Sequence, residues 1–383
     1  MRYKFLTFFV LLSTFAFCQS YEELMEQSST HIQEKNFDRA YLTFLKAFKD
    51  SSKIGIYDLT SAAFVAVQVG KPQQGIDWLQ QSIDKGLGKN KQELDYILRD
   101  SSFIILHSLK EWKKITKSIN ENYINEIQKL KNDSISWINE ITDKEGNTGK
   151  LSRLRIGFTL NYQKHADVNV PYLVYIPKNF NHKTQINIIV YLHGGVANTN
   201  DFSYQDPQTK TEPIFKVADS LNFMVIYPFG KKSFGWVNQP EAFENILSII
   251  HSTKHRYSLE KSNIYLGGMS NGGTATFWFA SQKPNIFSGF FAISAFPKLN
   301  FEELKFENIS QGKPFYSLND QNDNVYNFKE VESIYNREKD KAKDWKFESI
   351  TNIGHGFIYN HEDGINILTT LIKGLIESIQ ELK

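Results

Sequence analysis

From residue 150 onward, short apolar runs alternate with amphipathic helical stretches. The runs that predict strands are 154–162 (LRIGFTLNY), 171–177, 186–192 (INIIVYL), 222–228, 262–267, 289–295, 314–318 and 345–350. Helical periodicity fills 212–220, 241–256, 272–283, 328–342 and 362–381. INIIVYL is apolar at nearly every position, the pattern of a strand buried on both faces. Strands alternating with helices predict an α/β fold, a doubly wound and mostly parallel sheet covered by helices on both sides. Ligands of such sheets bind beyond the carboxyl ends of the strands, so reactive side chains are expected just after strands.

Residues 20 to about 120 lack this alternation and read as helices. KNFDRAYLTFLKAF (35–48) aligns with GKPQQGIDWLQQSI (70–83) at an offset of 35 residues. Ala40 matches Gly75, Tyr41 matches Ile76, Phe44 matches Leu79 and Phe48 matches Ile83. Small residues recur where backbones must approach and large ones where a core must fill, as stacked helix pairs require. The segment resembles tetratricopeptide repeats, with two units, and the resemblance implies a protein or peptide partner. Further helices are expected to about residue 140, and the polar ITDKEGNTGK (141–150) reads as a linker. The predicted organisation is an all-α helical-repeat domain over 19–140 and an α/β domain over 150–383.

Residues 1–18 fall outside both. MRYK followed by the apolar FLTFFVLLSTFAF has the form of a signal peptide, too short to span a bilayer. Cys18 has two readings. Cleavage after it leaves Gln19 first, with Ala16 at the small −3 position, whereas a lipid-anchored Cys18 wants a small residue before it and finds Phe17. Ordinary cleavage is therefore favoured, and the mature chain then has no cysteine for a disulfide or a thiol nucleophile. No other apolar run approaches spanning length. Forty-four basic against 42 acidic residues give a net charge of +2, which provides no basis for a nucleic-acid partner.

The chemistry gathers after the strands. Gly268-Met269-Ser270-Asn271-Gly272 fits G-x-S-x-G between a strand and a helix, the setting of a serine nucleophile on a sharp turn. In that arrangement an acid and then a histidine follow in the chain. His355, between Gly354 and Gly356 after a strand, is the expected base, and His361, at a helix start, is the lesser candidate. Asp323 and Asp320 both follow the strand 314–318, and Asp323 is favoured as the acid, with Asp320 read as a turn residue. The oxyanion donors are expected from the N–H of Asn271 and from Gly194 or Gly195, where strand 186–192 runs into His193-Gly194-Gly195. His193 is then expected to hold its loop. No metal cluster, phosphate loop or dinucleotide fingerprint is present, so no cofactor is expected.

In this combination residues 150–383 resemble an α/β-hydrolase, of the type around polyhydroxybutyrate depolymerases and feruloyl or acetyl esterases. VPYLVYIPKNF, YLHGG, the stretch around GGMSNGG, NDQNDNV and GHG carry the resemblance in order. Asn319-Asp320 departs from it, standing where the family has a small turn. The resemblance implies a carboxylesterase acting on a small-molecule or polysaccharide ester, with a pocket-edge role for Trp236, and the N-terminal segment adds the expectation of export. A peptidase with the same triad, or an interaction protein built on the helical repeats, are the alternatives. The loops 196–208 and 229–241, with Phe202, Tyr204, Phe229, Phe234 and Trp236, are expected to line the cleft.

Overall fold

The computed structural model describes residues 19–49, 52–142, 155–180, 186–310 and 312–381. Residues 1–18, expected to be a signal peptide ending at Cys18, and residues 143–150 of the expected linker lie outside the described residues. The chain divides between Asn132 and Asp133 into two units.

The first unit holds α1 (Tyr21–Gln33), α2 (Phe37–Ala47), α3 (Ile56–Gln68), α4 (Pro72–Asp84), α5 (Lys91–Arg99), a 3-10 helix (Ser101–Ser108) and most of α6 (Trp112–Ile141). Ser20 starts α1 as half of a capping box with Glu23. Helices α3 and α4 each begin 35 residues after α1 and α2. Ala40 and Gly75 are buried. A Cβ on Gly75 would stand 3.1 Å from the Ala63 carbonyl oxygen, so the small residue lets α4 approach α3. Phe44, Leu59, Leu79 and Ile83 fill the core between the pairs.

The division falls inside α6, earlier than the boundary expected at residue 140. Trp137 and Ile141 are buried in the second unit, and the Trp137 indole N–H donates to the Tyr204 carbonyl at 2.9 Å. The polar linker marks where the helix stops. The change of packing partner comes two turns before, and nothing in the helical pattern announces it.

The second unit is an eight-stranded sheet ordered β1-β2-β4-β3-β5-β6-β7-β8. The strands are β1 (Gly157–His165), β2 (Val168–Ile176), β3 (Asn187–Leu192), β4 (Phe223–Pro228), β5 (Ile264–Met269), β6 (Gly289–Ile293), β7 (Phe315–Asp320) and β8 (Trp345–Ile350). β2 pairs antiparallel with β1 and β4, and every other pair is parallel. Along β3, Ile188, Val190 and Leu192 face one core while Ile189 and Tyr191 face the other, so both sides of the sheet are dry. Helices α8 (Pro240–Tyr257) and α9 (Asn271–Gln282) cover the first side. Helices α7 (Pro213–Leu221) and α11 (His361–Glu381) cover the second, and α10 (Phe328–Glu338) connects β7 to β8. This mixed, mostly parallel sheet behind an all-helical segment is the α/β-hydrolase fold.

Candidate active site

Strand β5 ends at Met269, helix α9 begins at Asn271, and Ser270 alone makes the turn, at φ 54° and ψ −118°. That backbone is strained for a residue with a side chain, and it holds because the surroundings leave no other path. The Ser270 N–H donates to the Ile293 carbonyl at 2.9 Å. A Cβ on Gly268 would fall 2.4 Å from the Leu192 carbonyl oxygen, and one on Gly272 only 1.8 Å from it. The two glycines are thus what allows β3, β5 and α9 to converge under the serine.

His355 stands on the loop after β8. Its Nε2 lies 2.9 Å from Ser270 Oγ and its Nδ1 lies 2.8 Å from Asp323 Oδ2. The Asp323 carboxyl is fully buried, and its Oδ1 accepts the N–H groups of Val325 and Tyr326 at 2.8 and 2.9 Å. A carboxylate so held accepts a hydrogen bond from Nδ1–H, which leaves the Nε2 lone pair facing the serine hydroxyl. The structure thus brings together Ser270, His355 and Asp323. His361 is the first residue of α11.

Asp320 is a turn residue and more. Its Oδ1 accepts the Asn322 N–H at 2.7 Å, and its Oδ2 accepts the Gly354 N–H at 3.2 Å, so it ties down the loop that carries His355. Ser294, directly after β6 and at φ 45°, donates to the His355 carbonyl at 2.8 Å. The Tyr326 ring meets the imidazole edge-on, with centroids 5.3 Å apart. Sequence reasoning missed all three roles. The signal for Ser294 was its place, a serine ending β6 as Ser270 ends β5.

The His193-Gly194-Gly195 loop follows β3. Gly195 is left-handed at φ 74°, and a Cβ on Gly194 would lie 3.0 Å from Ser270 Cβ. The His193 Nδ1–H donates to the Gly194 carbonyl at 2.6 Å, and Nε2 accepts the Gly230 N–H at 3.0 Å. Burial pushes this imidazole down to about 4, so it stays neutral with the Nε2 lone pair free to accept. The Asn271 N–H is the first of α9 and has no partner within the helix. The Asn271 side chain bridges two loops, accepting from the Ala197 N–H at 3.4 Å and donating to the Tyr326 hydroxyl at 3.2 Å.

Ser270 and His355 open onto a cavity of about 580 Å³. Its wall from the 196–211 loop is polar, with Asn198, Thr199, Asp206 and Gln208 facing in. The expected aromatics turn away: Phe229, Phe234 and Trp236 are buried, and Phe202 and Tyr204 pack on the core. Five large rings on two short loops are the anchors of those loops, and the loops' polar residues are left to face the cleft. Trp236 lines a second cavity of about 250 Å³ that shares Asn271 and Tyr326 with the first. Its indole N–H donates to the His193 carbonyl at 3.1 Å, which makes it a support of the glycine loop. The first cavity also holds Glu212, Tyr227 and Tyr359, none of them anticipated.

With this geometry in view, known proteins offer distant parallels. No protein-family model matches the chain. Over 186 residues it is 28% identical to the bifunctional acetylxylan esterase/xylanase XynS20E of Neocallimastix patriciarum, a match covering 48% of this chain and 26% of that protein. The chain thus spans about a quarter of the curated relative it matches. Among solved structures, a thermostable esterase is similar at 19% identity and a TM-score of 0.44, covering 58% of this chain and 62% of that one. A ferulic acid esterase is similar at 15% and 0.45, covering 57% and 99%. Among the described residues no group of three or more His, Cys, Asp or Glu could hold a metal ion, and no helix is long and apolar enough to cross a membrane.

Proposed function

We propose that the protein is a serine hydrolase that cleaves carboxylic esters through an acyl-enzyme. The observation that carries this is the continuous line of hydrogen bonds Asp323–His355–Ser270, at 2.8 and 2.9 Å, ending on a serine held at φ 54° in a cavity wall. Ser270 Oγ attacks the ester carbonyl while His355 Nε2 takes its proton. Asp323 holds the ring in that tautomer and stabilises the imidazolium that forms. The negative charge on the carbonyl oxygen falls to the N–H of Asn271, at a helix N-terminus, and to the Gly194-Gly195 backbone. The tetrahedral intermediate collapses, His355 hands its proton to the departing alcohol, and water repeats the sequence to release the acid. Similarity to a protein named an acetylxylan esterase supports an ester over an amide.

Two further parts of the proposal rest on sequence pattern. The basic and apolar residues 1–18 support export, with cleavage near Cys18. The 35-residue spacing of helix pairs supports a tetratricopeptide-like unit that binds a protein partner.

The test compares p-nitrophenyl acetate, p-nitrophenyl butyrate and a peptide p-nitroanilide. Ester turnover is expected, with Ser270→Ala lowering kcat about a millionfold. Near-wild-type turnover by that variant would end the reading, and cleavage of the anilide alone would change it to an amidase.

A further inference from the structure

The cavity contains a carboxyl that the reaction above does not use. Glu212 immediately precedes α7 and lines the same cavity as Ser270 and His355. The Tyr359 hydroxyl donates to its Oε2 at 3.1 Å, and the Tyr227 hydroxyl also faces it. Tyr191, stacked on Tyr227 with centroids 6.0 Å apart, is fully buried in the same cluster, and its hydroxyl has no hydrogen-bond partner among the described residues. Burial, and after it the charge of Glu212, raises all three phenols and keeps each in its protonated form.

No lysine or arginine lines the cavity among the described residues. A half-buried carboxyl without a cation beside it is costly unless something hydrogen-bonds it. The phenols offset part of that cost, yet burial still pushes the carboxyl up to about 7. A carboxyl keeps acceptor capacity after two phenol bonds. What remains unmet is a donor, and the cavity is where a donor can enter. The neighbouring Asn198, Thr199 and Gln208 are neutral hydrogen-bonding groups suited to hydroxyls, and the cavity's other carboxyl, Asp206, already accepts the Gln208 N–H at 2.9 Å. Tyr359 closes the short 3-10 helix Phe357–Tyr359 that follows His355, so its bond ties Glu212 to the loop of the residue that hands a proton to the departing alcohol.

We propose that Glu212 is the specificity-determining residue of the cavity, accepting a hydrogen bond from a hydroxyl on the substrate's alcohol. This rests on the serine-esterase reading above. A site built to bond a substrate hydroxyl rejects the analogue without it far more strongly than an apolar pocket rejects a missing methylene.

The experiment measures kcat and KM for 2,3-dihydroxypropyl acetate, propyl acetate and 3-(trimethylammonio)propyl acetate, in the wild type and in Glu212→Gln. Glutamine keeps the shape and loses the charge-assisted bond. The wild type is expected to prefer the diol ester to propyl acetate by about tenfold or more in kcat/KM, and Glu212→Gln to reduce that ratio about tenfold. Most of the change should appear in KM for the diol. Should Glu212→Gln fail to fold, Tyr359→Phe keeps the carboxyl while removing the phenol that orients it, and the same ratio is expected to fall. An unchanged ratio in a folded variant, no wild-type preference, or a preference for the ammonium ester that Glu212→Gln abolishes would each overturn the proposal. Labelling of Ser270 by a fluorophosphonate in the same samples separates the two readings. Loss of labelling and of all ester turnover would count against the serine mechanism, whereas retained labelling without hydroxyl selection would count against Glu212 alone.

Discussion

Ser270 sits in a conformation that costs a residue with a side chain roughly 1–3 kcal/mol, held by the strands around it. The residues that serve it divide into those on the proton path and those that carry the loops. Asp323→Asn is expected to slow turnover about 10⁴-fold, since the imidazole loses its fixed tautomer. Asp320→Asn sets an amide against the Gly354 N–H or gives up the Asn322 turn bond. It is expected to cost about tenfold in kcat and to lower the Tm, because a buried donor loses its acceptor. Comparing the two variants by kinetics and melting checks this, and an equal loss from both would merge the roles that the geometry separates.

Glu212 gives a pH prediction. Its folded value is raised from 4.5 to about 7, so the folded chain holds the proton more tightly than the unfolded one. Its contribution to stability is complete below 4.5 and is lost as the pH rises through about 7. The wild-type Tm should therefore decline relative to that of Glu212→Gln between those pH values. A difference that does not change with pH would contradict a raised Glu212 carboxyl. The convergence of Ser270, Asp323 and His355 was legible because serine, acid and histidine stand after strands in the order that goes with G-x-S-x-G. Glu212 and the Asp320 tether were not, because each depends on a partner far away in the chain: 147 residues for Glu212 and Tyr359, and 34 for Asp320 and Gly354.

At the scale of elements, the strands lie within a few residues of the apolar runs, and the discrepancies have causes. Strand β5 runs through Gly267 and Gly268 to Met269, past the expected end at 267. Glycines read as a break in a strand. Here they mark close approach, since a Cβ on Gly267 would meet the Phe291 ring at 2.3 Å. The β1–β2 hairpin turns at Ala166-Asp167, with Ala166 at φ 47°, where no glycine or asparagine signals a turn. Its polar tip, Gln163-Lys164-His165, belongs to an edge strand, so it reads as loop. The element that the site can least afford to lose is the convergence under Ser270. Gly272→Ala puts a methyl 1.8 Å from the Leu192 carbonyl oxygen. A loss of at least about 3 kcal/mol is expected, read by urea unfolding, together with loss of turnover. A stable, active Gly272→Ala protein would show that the elbow is not held as described.

For the whole molecule, the point at which the second unit begins decides whether it can stand alone. Trp137 belongs to it by burial, by its bond to the Tyr204 carbonyl and by edge-on contact with Phe158 at 5.2 Å. A chain starting at residue 133 is expected to fold and to turn over a short ester. One starting at residue 145 lacks Trp137 and should be less stable by about 3–5 kcal/mol, the cost of emptying a large aromatic site. Equal melting curves for the two would contradict this boundary. The repeat of helix pairs was legible in the chain's small and large residues, whereas the switch of α6 from one core to the other was not. The central claim is that Ser270 is the nucleophile, and intact-protein mass spectrometry after fluorophosphonate treatment tests it most directly. One adduct per chain, mapped to the peptide containing Ser270 and absent from Ser270→Ala, is the predicted result. A folded wild-type protein that takes no label, or a Ser270→Ala protein that labels as fast, would contradict the account.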